Sequence, residues 1–401
     1  MQSAICLCLI LASLSNGHHL GPDEQNSTQL ATRLYPNVGR FAIKFMSLAS
    51  SASPDKNIFF SPLSIVSTFS IVSLGAKSAT RTQILEGLCF NLTEIPEKEI
   101  HQALHNDFST LTRSDSGYQL ELGDALFLRE GLEALPTFLD DVKAFYAVEV
   151  LPTKFQEPKE AEKQINDYIE KKTHGKISEI VKGLDPDTSL AVANYIFFKG
   201  AWEKPFDPAH TEERDFFVNE HTTVKVPMMH RLGWFRYYYD TELHCQVLQM
   251  DYKGSATTFF ILPDSGKLKQ VEEAFSLDTW TKWAVKVQRA TASVFLPKFN
   301  ISAKYELKEP LSKMGITDVF SDQADLTGIT GQPLKVAKAT HKAVLTVDEK
   351  GSEAAAATVV EAIPMSLPPT LEFNMPFYVL MYERQTNYTL FVGKIVNPVQ
   401  H

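Results

Sequence analysis

The chain has 401 residues, 44% hydrophobic and 22% charged, an ordinary globular composition with ample material for a core. Its formal net charge is -9 and it contains no block of basic residues, which argues against a nucleic-acid partner. Past the N-terminus no apolar run is long enough to span a bilayer, so no membrane partner is expected.

The first apolar stretch, Ala4–Leu14 (AICLCLILASL), has signal-peptide length, although no basic residue precedes it. Ser15 and Gly17 supply small residues for cleavage after Gly17. Residues 1–17 are therefore expected to be a signal peptide and 18–401 the secreted chain, whose length alone suggests two or three domains. Of the four cysteines, Cys6 and Cys8 leave with that peptide. Cys89 and Cys245 are too few for a disulfide framework; they either pair or stay as two thiols. Four N-x-S/T sequons, at Asn26, Asn91, Asn300 and Asn387, are glycan candidates in a secreted chain. Asn26 and Asn91 lie in polar surroundings, whereas Asn300 and Asn387 adjoin apolar, strand-like runs.

Val38, Phe41, Ala42, Phe45 and Leu48 recur at helical spacing and predict an amphipathic first helix. After the break at Pro54, Asn57–Phe60 reads as a short buried strand. Ser61-Pro62 then opens a helix to about Leu74, with serine as N-cap and proline at the first helical position. That helix is apolar nearly all round and should be central. Helices are predicted at Ser78–Leu88, Pro96–Leu111 and Glu157–Thr173, the last capped near Gly175; Tyr118–Leu128 reads as strand. From Ser189 the pattern changes. Residues 189–202 form a long apolar strand buried on both faces. Strands follow at Val224–Met229, Phe235–Tyr239, Cys245–Tyr252, Thr257–Leu262, Ala292–Pro297, His341–Val347, Phe377–Glu383 and Leu390–Val396. Thr279–Val287 and Lys304–Met314 are predicted helices, with a loop at Ala324–Leu326. Helices dominate the first half and strands the second, without βαβ alternation, which gives an α+β fold with large, mostly antiparallel sheets.

Between two of these strands lies Gly351–Pro369 (GSEAAAATVVEAIPMSLPP), which suits no single secondary structure. Its alanines favour helix, Thr358 to Val360 favour strand, and its prolines exclude both at the far end. Either it is an exposed linker or it is built to change its structure. In an extended strand alternate residues face opposite sides. The even positions, Ser352, Ala354, Ala356, Thr358, Val360, Ala362 and Pro364, carry no charge. Glu353 and Glu361 both fall on the odd parity, with Ala355, Ala357, Val359 and Ile363. A one-residue slip would bury two carboxylates. No G-x-S-x-G elbow, G-x-G-x-x-G, P-loop, HExxH or CxxC occurs, and the eleven histidines lack metal spacing. An enzyme would need a constellation hidden from the linear sequence, and neither cofactor nor metal is expected.

The stretches NIFFSPLSI (57–65), NYIFFKGAWEKPFDP (194–208), VPMMH (226–230), HKAVLTVDEKGSEAAAA (341–357) and FNMPFYVLMYERQTNYTLFVGKIVNP (373–398) resemble the serpin family, in its order and across nearly the whole chain. The resemblance implies that 18–401 is a single, monomeric domain of about nine helices around three mostly antiparallel sheets, with 351–369 as an exposed reactive-centre loop. It implies a suicide inhibitor of serine proteases, elastase-like or chymotrypsin-like, held as a covalent complex. The protease would attack Met365, with Ser366 following the scissile bond, and the cut loop would insert into the main sheet. Glu349, Gly351, Ser352, Glu353, Ala354, Ala355, Ala356, Ala357 and Thr358 match the hinge. Asn57, Ser61, Ser64, Asn194, His341 and Lys342 match the shutter where the sheet parts. Trp202 matches the breach, and Lys298 the partner of Glu349. Local chemistry alone explains Ser61 as a helix cap and His341 and Trp202 as core residues. Non-inhibitory hormone carriers share the fold, and ELHCQVLQMDY (242–252) is similar to theirs.

Overall fold

The computed structural model describes residues 22–113, 116–351 and 368–400. Ten α-helices occur there: α1 Pro22–Ala52, α2 Pro62–Gly75, α3 Ser78–Gly87, α4 Glu97–Leu111, α5 Pro136–Tyr146, α6 Pro158–Lys172, α7 Leu268–Glu273, α8 Leu277–Lys286, α9 Lys308–Lys313 and α10 Thr327–Thr330. The strands are β1 Ile58–Phe60, β2 Tyr118–Arg129, β3 Val150–Thr153, β4 Leu190–Gly200, β5 Glu212–Asn219, β6 Thr222–Asp240 and β7 Cys245–Asp251. They continue as β8 Ala256–Pro263, β9 Gln288–Pro297, β10 Phe299–Glu306, β11 Val336–Val347, β12 Thr370–Glu372, β13 Phe377–Glu383 and β14 Thr389–Ile395.

A five-stranded sheet runs β10-β11-β4-β2-β3. The other strands form one nine-stranded network, β1-β14-β13-β8-β7-β6-β9-β12, with β5 on β6. The expected three sheets are thus two hydrogen-bonded networks among the described residues. The cause is β6, which is 19 residues long. It pairs with β5 from Thr222 to Met228, with β9 from Met228 to Tyr237 and with β7 from Arg236 to Asp240, so one continuous ladder joins what would be two sheets. Most pairings are antiparallel; β11 with β4, β12 with β9, and β2 with β3 are parallel.

Helix α2 is the central element. Ser61 caps it, its hydroxyl accepting the Ser64 N–H at 3.2 Å, and Pro62 opens the first turn. All its residues but Leu74 are buried, as expected of a helix whose only polar residues are serines and a threonine. Helix α1 contributes Val38, Phe41, Ala42 and Phe45 to the same core. On the opposite face of the five-stranded sheet, Ala161, Ile165 and Ile169 of α6 close a second core over Phe127, Ala191, Ala193 and Val344. Both faces of β4 are therefore covered, as its nearly continuous apolar run predicts.

One predicted element is wrong in part. Lys304–Glu306 belong to β10, and the helix there is only Lys308–Lys313. Phe299–Glu306 alternates buried and exposed and pairs residue by residue with β11, so cross-strand pairing overrides the local helical preference. Among the described residues no helix is long and apolar enough to cross a membrane.

Candidate functional site

The site is the root of the 351–369 segment and the sheet line beneath it. The scissile pair Met365 and Ser366, and the hinge positions Ser352, Glu353, Ala354, Ala355, Ala356, Ala357 and Thr358, lie outside the described residues.

The root begins where β11 ends. Trp202 is buried and stacks on Tyr252 with ring centroids 4.2 Å apart. Its indole N–H donates to the Asp348 carbonyl at 3.0 Å, and its backbone N–H to the Lys350 carbonyl at 2.9 Å. The Phe206 N–H donates to the Glu349 carbonyl at 2.8 Å. Residues 348–351 are thereby zipped onto 201–206. Gly351 completes the zip by bridging to Ala201 with φ +123°, a backbone that side chains rarely adopt. A Cβ at Gly351 would lie 2.3 Å from the Gly200 carbonyl oxygen, so only glycine fits.

The expected Lys298–Glu349 pair is present at 3.0 Å, and Thr211, which the sequence reading did not find, donates to the other Glu349 oxygen at 2.9 Å. Burial opposes the Glu349 charge, but the backbone, Lys298 and Thr211 hydrogen bonds outweigh it and hold its pKa below the usual value. The Glu349 side chain is 10% exposed and that of Lys298 44%, so water screens the pair. Lys298→Ala is expected to cost at most about 1 kcal/mol, measured by urea unfolding.

Below the root lies a buried polar row. Register places His341 of β11 opposite Asn194 of β4, and Asn194 opposite Asp124 of β2. The N-cap Ser61 and, three to four residues apart on one side of α2, Ser64 and the Ser67–Thr68 pair face this row. The Ser61 N–H donates to His341 Nε2 at 3.1 Å, so the ring is neutral with its proton on Nδ1, which points at Asn194 Oδ1. That oxygen also accepts from the Ser64 hydroxyl at 2.6 Å. The Asn194 amide donates to Asp124 at 2.7 Å, and Ser67 and Thr68 donate to the same carboxylate. Burial pushes the His341 pKa down to about 3. Burial also pushes Asp124 up to about 6, against the Thr68, Asn194 and Ser67 hydrogen bonds.

Sequence reasoning missed Asp124. The available signal was an aspartate directly before the apolar run Ala125–Leu128, which if buried must be met by donors. Asn57 does not join this row. It ties down the C-terminal end, donating to the Asn397 and Gln400 carbonyls at 2.8 and 3.0 Å and accepting from the Val396 and Asn397 N–H groups. Lys342, next to His341 on the strand, points to the other face and donates to the Glu179 carbonyl at 2.7 Å, fastening the chain beyond α6.

Three sequons fall where side chains are described. Asn91 and Asn300 are exposed, while Asn387 is half-buried with φ +59°. The side chain of Asn26, within α1, lies outside the described residues. Cys89 and Cys245 are both free thiols.

The geometry makes the β11–β4 line a seam. A segment reversing at Gly351 would lie antiparallel to both strands, replacing one slanted parallel ladder with two antiparallel ones. Opening the seam breaks the His341–Asn194 contact and leaves Asn194 and Asp124 together.

A chain rooted through Gly351 at the end of such a seam defines a class, and residues 36–398 match the family model "Serpin (serine protease inhibitor)": the chain belongs to the serpin family. Among its relatives, alpha-1-antiproteinase of Bos taurus is 51% identical over all of this chain and 97% of its own length. Alpha-1-antitrypsin of Sus scrofa is 49% identical over 94% of this chain and 90% of that protein. Among solved structures, human thyroxine-binding globulin complexed with thyroxine superposes with TM-score 0.88 at 40% identity, over 92% of this chain and all of that one. Human glycosylated kallistatin does so with TM-score 0.88 at 41% identity, over 93% and all of the respective chains.

Proposed function

We propose that this serpin is a secreted inhibitor of elastase-like or chymotrypsin-like serine proteases that offers Met365–Ser366 as the scissile bond. The protease serine attacks the Met365 carbonyl and forms an ester to it, releasing the Ser366 amine. Gly351–Met365, about 50 Å long when extended, then fills the β11–β4 seam and drags the tethered protease away before water cleaves the ester. The observation that carries this reading is the pairing of β11 with β4, a seam whose polar row can part at one contact. Asn194 and His341 act as the lock on that seam, and Trp202 and Lys298–Glu349 hold the root closed. Asn26, Asn91, Asn300 and Asn387 are the glycan acceptors.

Mixing the purified protein with an elastase is expected to give a complex that survives boiling in detergent, and the released C-terminal peptide is expected to begin at Ser366. The unbranched apolar Met365 suits a medium hydrophobic pocket and lacks the cation a trypsin-like pocket requires. Oxidising it to the sulfoxide makes it polar and is expected to slow association with the elastase; unchanged association kinetics would count against Met365 as the bait.

The likeness to thyroxine-binding globulin favours a second reading, a non-inhibitory hormone carrier. Simple cleavage at Met365 with active protease left over would select it. The hinge argues the other way: from Ala354 to Thr358 it carries only alanine and threonine, small enough to slide between strands.

A further inference from the structure

A cleft of about 380 Å³ opens beside the loop root, between the chain just past Trp202 and strands β6 and β7. Lys204, Arg231, Arg236, Arg289 and Arg384 converge on it. Only two carboxylates line the same cleft, Glu203 and Asp251. Asp251 is already engaged by Arg384 at 3.6 Å, by Gln249 at 2.8 Å and by Thr257 at 2.6 Å. In a chain of net charge -9, this is a local excess of positive charge.

Strand register creates the crowding. Arg236 of β6 lies directly opposite Arg289 of β9, a like-charge cross-strand pair of the kind that destabilises a sheet. Aromatic faces steer the guanidinium groups: Arg289 lies over Trp234 at 5.1 Å and Arg231 over Phe235 at 3.9 Å. Arg231 is largely buried, and burial pushes its pKa down to about 10. Lys204 is lowered by burial first and then by Arg289 and Arg231. The cleft thus gathers five cations and two carboxylates around one concavity.

We propose that this cleft binds a compact, multivalent oxyanion bearing phosphate or sulfate groups. Arginine forks match the paired oxygens of such groups, which explains arginine at four of the five positions. The cleft is also continuous with the loop root. Glu203 follows Trp202, and its N–H donates to the Asp251 carbonyl at 2.9 Å, while the neighbouring Tyr252 carries the Trp202 indole. An anion drawing Lys204 toward Arg231 and Arg289 braces the segment onto which residues 348–351 are zipped.

The test is calorimetric titration of the full-length protein with sodium pyrophosphate, with thermal unfolding alongside. Saturable binding, weakening as salt rises, and a higher unfolding midpoint are expected. Arg236→Ala and Arg289→Ala remove exposed side chains and leave Arg231, whose ring contact belongs to the core, in place. Each is expected to weaken binding about tenfold, the worth of one charge-assisted hydrogen bond. Lys269→Ala, outside the cleft, is expected to change nothing. Absence of saturable binding overturns the proposal, as does equal weakening by Lys269→Ala. A groove past Arg384 leads on to Arg113. Retention on a long sulfated polysaccharide, with pyrophosphate silent, would likewise overturn the compact site in favour of an extended polyanion surface.

Discussion

Replacing Thr358 with arginine is expected to turn the protein from an inhibitor into a substrate of the same protease. Once Met365 is acylated, two fates compete: water hydrolyses the ester, or the loop inserts and traps it. Thr358 is on the even parity, the uncharged side of the segment, and arginine there would have to enter the sheet's interior unpaired. An uncompensated buried charge costs several kcal/mol. About 3 kcal/mol on the insertion barrier slows insertion roughly a hundredfold, so hydrolysis wins. On a denaturing gel the covalent complex is expected to collapse to a few per cent of the wild-type yield. Cleavage after Met365 should continue at close to the normal rate, because the bait residue is unchanged. Val359→Arg, on the parity that already carries Glu353 and Glu361, is the control and should keep most of the complex. Equal yields from Thr358→Arg and wild type would sink the insertion mechanism.

The features legible in the sequence were those with a local cause. Ser61-Pro62 announced α2 because capping and a fixed proline φ act within one turn. The apolar run from Leu190, broken by Asn194 and Lys199, announced a doubly covered strand because burial on both faces leaves few polar positions. Lys304–Glu306 misled because their strand conformation comes from β11, nearly forty residues away. The merging of two expected sheets by β6 was hidden for the same reason: strand partners are settled by tertiary pairing. Within the site, the family resemblance supplied Trp202, Asn194, His341 and the Lys298–Glu349 pair. Thr211 was invisible and Asp124 was missed, since their roles depend on partners 138 and 70 residues away. Asn57 shares the resemblance, yet its side chain serves the C-terminus.

The buried row gives the second large effect: Asp124→Asn is expected to stabilise the protein at neutral pH and to make that stability fall on acidification. Asp124 has its pKa raised from 3.8 to about 6, so the native state holds that proton more tightly than the unfolded chain does. The resulting stability is fully present below pH 3.8 and is lost as pH rises through 6, leaving a deficit of about 3 kcal/mol at pH 7. His341 works in the opposite sense. Its pKa is lowered from 6.5 to about 3, so its contribution is present above 6.5 and is lost as pH falls toward 3. Between about pH 4 and pH 6 the native state therefore holds one proton more at Asp124 and one fewer at His341, and the two slopes cancel. Asparagine keeps the oxygen that Asn194 and Thr68 use, and its amide can donate to the Ser67 hydroxyl. With the carboxylate gone, urea unfolding at pH 7 should show a gain of about 3 kcal/mol, and the difference from wild type should shrink by about 1.4 kcal/mol per unit from pH 6 to pH 4. A variant no more stable than wild type at pH 7 would show that the Asp124 charge is compensated in the native protein. The gain should also carry a functional cost. Stabilising the native, uninserted state should raise the barrier to parting β11 from β4 and lower the yield of covalent complex.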